Sequence, residues 1–103
     1  MLKLLPLHEQ VKSVQGTLEE SFDAVTNMQA VKFIYGVGRT VDMNPAEVQN
    51  VMAAHEALRY HSLKRAFLKG VENAANDRAY RDSDVAATLR SYVQQEFEYL
   101  DMH

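Results

Sequence analysis

Cysteine is absent altogether, and with it go disulfide cross-links, a thiolate nucleophile and any cysteine-based zinc site. A metal would have to be held by histidine and carboxylate. Proline is scarce: Pro6 and Pro45 are the only two, and neither falls inside an apolar-periodic stretch. No apolar run approaches a membrane span, since the longest, Phe33-Ile34-Tyr35-Gly36-Val37-Gly38, is far short of the roughly 20 residues required. Residues 1–7 are apolar apart from Lys3, but Pro6 cuts the run and no small-residue cleavage site follows. A cytoplasmic protein with no membrane contact is expected. A large excess of one charge is also missing, with 11 basic against 14 acidic residues and a net charge of −3. The 47% hydrophobic and 24% charged content is that of an ordinary globular domain rather than a disordered chain. All 103 residues are expected to form a single helical domain, with 1–6 as a loosely ordered N-terminal segment.

What the chain does contain is helical periodicity. Leu7, Val11, Val14, Leu18, Phe22, Val25 and Met28 follow one another at spacings of three or four, which places them on one helix face. Gly16 interrupts this stripe, and Thr17-Leu18-Glu19-Glu20 after it fits a Thr-x-x-Glu capping box. A helical stretch over 7–35 with a bend or break near Gly16 is therefore expected. β-Branched and aromatic residues crowd into Val31–Val37 with some alternation, so a small hairpin near 31–43 is the alternative. A lone hairpin is marginal in water, which favours helix, with Gly36 and Gly38 ending it.

Asn44-Pro45-Ala46-Glu47 combines an N-cap side chain, a proline at the first helical position and a capping-box glutamate. From Val48 to Lys69 neither proline nor glycine follows, and Ala53, Ala57, Tyr60, Leu63, Phe67, Val71 and Ala74 form a continuous stripe. One helix over 45–75 is expected. Residues 73–83 read as a loop, after which Asp82 or Ser83 caps a last helix over 83–101. Its arc of Val85, Ala86, Leu89, Tyr92, Val93, Phe97 and Leu100 is the cleanest in the chain, and Leu89, Val93 and Phe97 should be buried against the 45–75 helix. The fold expected is all-α, a compact bundle of three or four antiparallel helices.

Residues with chemical potential are few. His55 and His61 are six apart, about 120° around a helix, where sharing a metal needs i and i+4. They read as surface or boundary histidines. Gly36-Val37-Gly38-Arg39-Thr40 lacks both the third glycine of a dinucleotide loop and the Gly-Lys-Ser/Thr of a P-loop. Ser62 adjoins His61, but neighbours in sequence do not face each other on a helix. No catalytic residue, metal or cofactor is expected, and the protein is read as a non-enzyme.

Charge is segregated. Residues 59–81 carry six cations against two anions, a local charge of +4, whereas residues 1–58 sum to −3 and residues 82–103 to −4. Within the basic segment Arg59, His61, Lys64, Arg65 and Lys69 are the candidate partner-binding residues, His61, Arg65 and Lys69 lying at i, i+4 and i+8. The function expected is a regulatory or adaptor protein that binds a protein partner through helical surfaces, as a homodimer. The alternative is a nucleic-acid-binding regulator that uses residues 59–81, a reading opposed by the acidic total. Five tyrosines, Tyr35, Tyr80 and Tyr99 among them, would favour a protein interface if left exposed.

Overall fold

Local chemistry sets where two of the helices begin. Asn44 is extended (φ −119°, ψ 155°), and its Oδ1 accepts the Glu47 N–H at 3.1 Å. Pro45 then fills the first helical position, where no N–H bond is lost. The Glu47 carboxylate accepts from the Asn50 side-chain amide at 3.3 Å rather than closing the capping box. Ser83 Oγ likewise accepts the Ala86 N–H at 3.1 Å and starts the last helix.

The computed structural model describes residues 6–20 and 24–102, and among them the order is α1 (Leu7–Glu20), α2 (Ala24–Arg39), α3 (Pro45–Ala57), α4 (His61–Ala75) and α5 (Asp84–Met102). No strand occurs among the described residues, so the hairpin near 31–43 does not form: α2 continues to Arg39, and residues 40–43 are a turn and a short connection. The all-α expectation holds, but with five helices rather than three or four. Pro6, whose carbonyl accepts from Glu9 and Gln10, is the only part of segment 1–6 within the described residues. Phe22 also lies outside them.

Three expected boundaries are corrected. α1 runs unbroken through Gly16, and Thr17 sits mid-helix with its hydroxyl on the Ser13 carbonyl at 3.2 Å, so the bend near Gly16 does not occur. Intrahelical hydrogen bonds outweigh the intrinsic cost of one glycine, about 1 kcal/mol. α2 continues through Gly36 and Gly38 to Arg39, because Gly38 is needed for packing rather than as a stop. Finally, the 45–75 helix is two helices, separated by Leu58, Arg59 and Tyr60.

The last break follows from where the apolar faces lie. Buried Val51, Ala54 and His55 of α3, with buried Leu58, share one face, whereas buried Leu63, Phe67, Gly70 and Val71 of α4 would sit on the other side of a straight helix. At 100° per residue the two faces are on the order of 160° apart. The continuous stripe in the sequence follows the α4 face backwards through α3, where its Ala53 is exposed. One straight helix cannot bury both faces in one core.

The core is built around α2 against α4, the most extensive contact in the fold, with α5 laid on α4 and α1 covering α3 and α2. Overall extents are 43 × 41 × 21 Å. α2 and α4 cross at Gly38 and Gly70. A Cβ at Gly38 would stand 2.5 Å from the Phe67 carbonyl oxygen, and one at Gly70 would overlap the Tyr35 carbonyl oxygen and lie 3.1 Å from the Gly38 Cα. These obstacles are backbone, so they cannot swing aside. Gly36, two residues from the crossing, has nothing within 4 Å of such a Cβ.

The contrast gives a paired prediction. Gly70→Ala should destabilise by at least about 1–3 kcal/mol, through overpacking that the backbone cannot relieve. Gly36→Ala should stabilise by about 0.5–1 kcal/mol, since it only removes unfolded-state freedom. Urea denaturation of the two variants checks both, and equal effects would mean that α2 and α4 are not in backbone contact.

Candidate functional site

Val31 and Tyr35 lie one turn apart on α2, off the face that carries buried Ala30, Ile34 and Val37. They form one wall of an open groove of about 780 Å³ between α2, α4 and α5. Ala66 on α4 and half-buried Phe97 on α5 complete an apolar floor, and Lys32, Arg65, Lys69, Glu72 and Asp101 supply the charged rim. Leu89 and Val93 are fully buried as expected, but Phe97 is only half-buried, because it packs on the core along one side and faces this groove along the other.

The charges on the rim are mostly spoken for. Arg65 donates to the Asp101 carboxylate at 2.6 Å and lies 5.2 Å over the centre of the Phe97 ring. Lys69 pairs with Glu72 at 3.0 Å one turn along α4. Both pairs are largely exposed, so each contributes no more than about 1 kcal/mol and remains exchangeable with a ligand. Lys32 makes no ion pair among the described residues. The Tyr35 hydroxyl takes a hydrogen bond from the Asn73 amide, and the Arg39 guanidinium stands 5.9 Å from the Tyr35 ring centre.

The sequence-derived candidates are thus dispersed. Arg65 and Lys69 line the groove. His61 is exposed, and its Nε2 is 3.1 Å from the Leu100 carbonyl. Lys64 is half-buried and donates to the His55 carbonyl at 3.1 Å; burial holds its ammonium below the usual lysine range, with Glu96 and Glu56 pulling the other way. Arg59 sits in the α3–α4 joint, its N–H bonded to the Gln15 side chain of α1. Sequence reasoning missed Val31, Lys32, Phe97 and Asp101. The available signal was the apolar pair Val31 and Tyr35 at i, i+4, one turn apart but off the core-facing positions of α2.

Several large apolar side chains are open to solvent: Val25, Met28 and Phe33 on α2 and Tyr99 and Met102 on α5, with Tyr80 in the turn between α4 and α5. A second, smaller hollow involves Met52, Thr88 and Tyr92. Among the described residues no three His, Asp or Glu side chains gather as a metal site would need, and no helix is long and apolar enough to cross a membrane.

His55 corrects a further expectation: it is 4% exposed, not a surface or boundary histidine. Its Nδ1 is 3.0 Å from the Tyr92 hydroxyl, the two rings meet edge to face, and its Nε2 is buried without a hydrogen-bond partner among the described residues. Burial, seconded by the Lys64 charge, lowers its pKa from 6.5 to about 4. Burial also raises the Tyr92 hydroxyl above its ordinary range, with Glu96 and Glu56 adding to the effect. The α3 face holds the ring neutral because a cation there would lose its hydration.

The sign of the pH effect follows. Above pH 6.5 His55 is neutral folded or unfolded; as pH falls from 6.5 towards 4 the unfolded chain takes up its proton first. The stability present above 6.5 should decline across that window by on the order of 3 kcal/mol. Thermal melts from pH 7 to pH 4 should show the decline, and His55→Gln should flatten it; an equally steep profile in the variant would assign the effect to other groups. No protein-family model matches this chain, and no curated protein and no solved structure is found to be similar to it.

Proposed function

We propose that this is a non-enzymatic interaction protein, cytoplasmic and regulatory in kind, whose α2–α4–α5 groove docks an amphipathic helical segment of a protein partner. The single observation that carries this reading is the pairing of an apolar floor with a cation that has no ion-pair partner among the described residues: Val31, Tyr35, Ala66 and Phe97 below, Lys32 at the mouth. Helix-in-groove recognition uses such a site, with apolar anchors spaced by helical turns and charge fixing orientation. The segment that fits is acidic. A carboxylate on it meets Lys32, and others compete with Asp101 for Arg65 and with Glu72 for Lys69. Exposed Met28, one turn before Val31, continues the apolar surface along α2, and exposed Val25 and Phe33 add apolar area elsewhere on that helix, which supports association with a second copy as part of the same proposal.

The basic segment 59–81 supports nucleic-acid binding less well. Lys64 is turned into the α3–α4 joint, and Arg65 and Lys69 are paired with carboxylates that a phosphate backbone would have to displace. Duplex or single-stranded nucleic acid should accordingly bind no tighter than about 10⁻⁴–10⁻⁶ M at physiological salt.

A pull-down from host extract with the wild type and with the double variant Val31→Glu, Lys32→Glu tests the groove. A protein recovered with the wild type and lost with a variant of unchanged circular dichroism supports it. Equal recovery would place the interface elsewhere. Gel shifts showing nanomolar, steeply salt-dependent binding that Arg65→Glu abolishes would replace this reading with the nucleic-acid one.

A further inference from the structure

The bend that separates α3 from α4 is tied by side chains and not made by a helix-breaking residue. Between Pro45 and Gly70 there is no proline or glycine, and Ala57, Leu58 and Arg59 at the joint are among the best helix formers. Yet Leu58 (φ −84°, ψ 133°) and Tyr60 (φ −88°, ψ 130°) are extended. Two of the backbone groups this leaves without helical partners are met by one side chain from α1. Gln15, 4% exposed, donates to the Ala57 carbonyl at 3.2 Å and accepts from the Arg59 N–H. Lys64 adds a second tie by taking the His55 carbonyl. In a continuous helix the Ala57 carbonyl would instead receive the His61 N–H, so Gln15 stands in for the bond that straightening would form.

Straightening has a structural consequence set by the two opposed apolar faces. With residues 45–75 as one helix of about 46 Å, α1 can stay on α3, but the α4 face that carries Gly70 turns away from its own α2. What fits that face is already in the chain: an α2 with Gly38 at the crossing point. We propose that residues 58–60 are a hinge latched by Gln15, and that two copies of this chain exchange α4 and α5 across it. In the exchanged pair the α2 of one copy meets the α4 of its partner at the same glycine crossing. The largest interface of the fold is therefore remade rather than replaced, and a short hinge of this kind is the usual route to a swap. Each groove would then take its α2 wall from one copy and its α4 and α5 walls from the other, whatever docks there.

Two substitutions act on the latch in opposite directions. Gln15→Met keeps volume and helix preference but removes both bonds to the joint. His61→Pro suits the bent form, since Tyr60 already has the backbone that precedes proline and position 61 is the first of α4. It forbids the straight form, where the His61 N–H is required and the ring would strike the Ala57 carbonyl. His61→Ala controls for loss of the imidazole contact with the Leu100 carbonyl.

Each chain is unfolded in urea, refolded at high protein concentration and sized by light scattering after chromatography. Wild type and His61→Ala should yield a slowly exchanging dimer alongside monomer, Gln15→Met should raise the dimer-to-monomer ratio roughly tenfold, and His61→Pro should remain monomeric with native helicity. In a dimer of mixed isotope labelling, isotope-filtered NMR should connect Gly38 of one copy to Gly70 of the other. A His61→Pro chain that dimerises like wild type, or a dimer whose Gly38–Gly70 contact stays within each copy, would overturn the proposal. So would wild type that is wholly monomeric after such refolding. Should Gln15→Met fail to fold, wild type against the two His61 variants still decides the matter, and none of these readouts involves an external partner.

Discussion

The backbone contact between α2 and α4 at Gly38 and Gly70 is the constraint on which the rest of the structure depends. Only the absence of two Cβ atoms lets the helices come this close, and that closeness brings Ile34, Val37, Phe67 and Val71 into one buried layer. It also sets the position of Val31 and Tyr35 relative to Ala66, because these residues flank the crossing on its solvent side. α5, packed on α4, then has one place to lie, and its Phe97 and Asp101 close the groove. The site is a by-product of the tightest packing in the molecule, so groove and stability are not separable at that crossing.

A second theme is that helix ends are finished by side chains from other helices. Gln15 of α1 satisfies the end of α3, and Arg90 of α5 donates to the Ala75 carbonyl at the end of α4 at 2.7 Å. Such caps order tertiary structure more than they stabilise helices, because each acts only when the donor helix has docked. The α3–α4 joint is the polar centre of the fold for this reason: Gln15, His55 and Lys64 meet there, the first two buried. Leaving any one of their partners unmet inside the protein costs more than the bond contributes when made. The joint is therefore both well specified and sensitive to a proton on His55.

Charge organisation connects fold and proposed function. The basic middle and acidic end of the chain meet where Arg65 reaches Asp101, but the pair stays exposed and weak. Weak, exposed pairs around an apolar floor suit a docking site, since an incoming carboxylate exchanges for one already present with little net desolvation. Half-buried Lys64, by contrast, faces the joint and not the groove.

Much of the architecture was legible in order of residues alone. The starts of α3 and α5 were readable because Asn44 and Ser83 cap within their own first turn, an interaction with no tertiary component. The all-helical class, and the burial of Leu89 and Val93, followed from periodicity, which is likewise local. Tertiary structure alone decided where α3 ends, because a helix former such as Leu58 leaves the helix where the apolar faces on either side must turn to one core and where Gln15, over 40 positions away, meets two of the exposed backbone groups. It decided too that Gly38 and Gly70 are a contact rather than stops, since a glycine that permits close approach and one that ends a helix look the same in sequence. The groove belongs to this second group: its walls come from three helices, and which off-core residues face one another depends on a crossing angle that no single helix encodes.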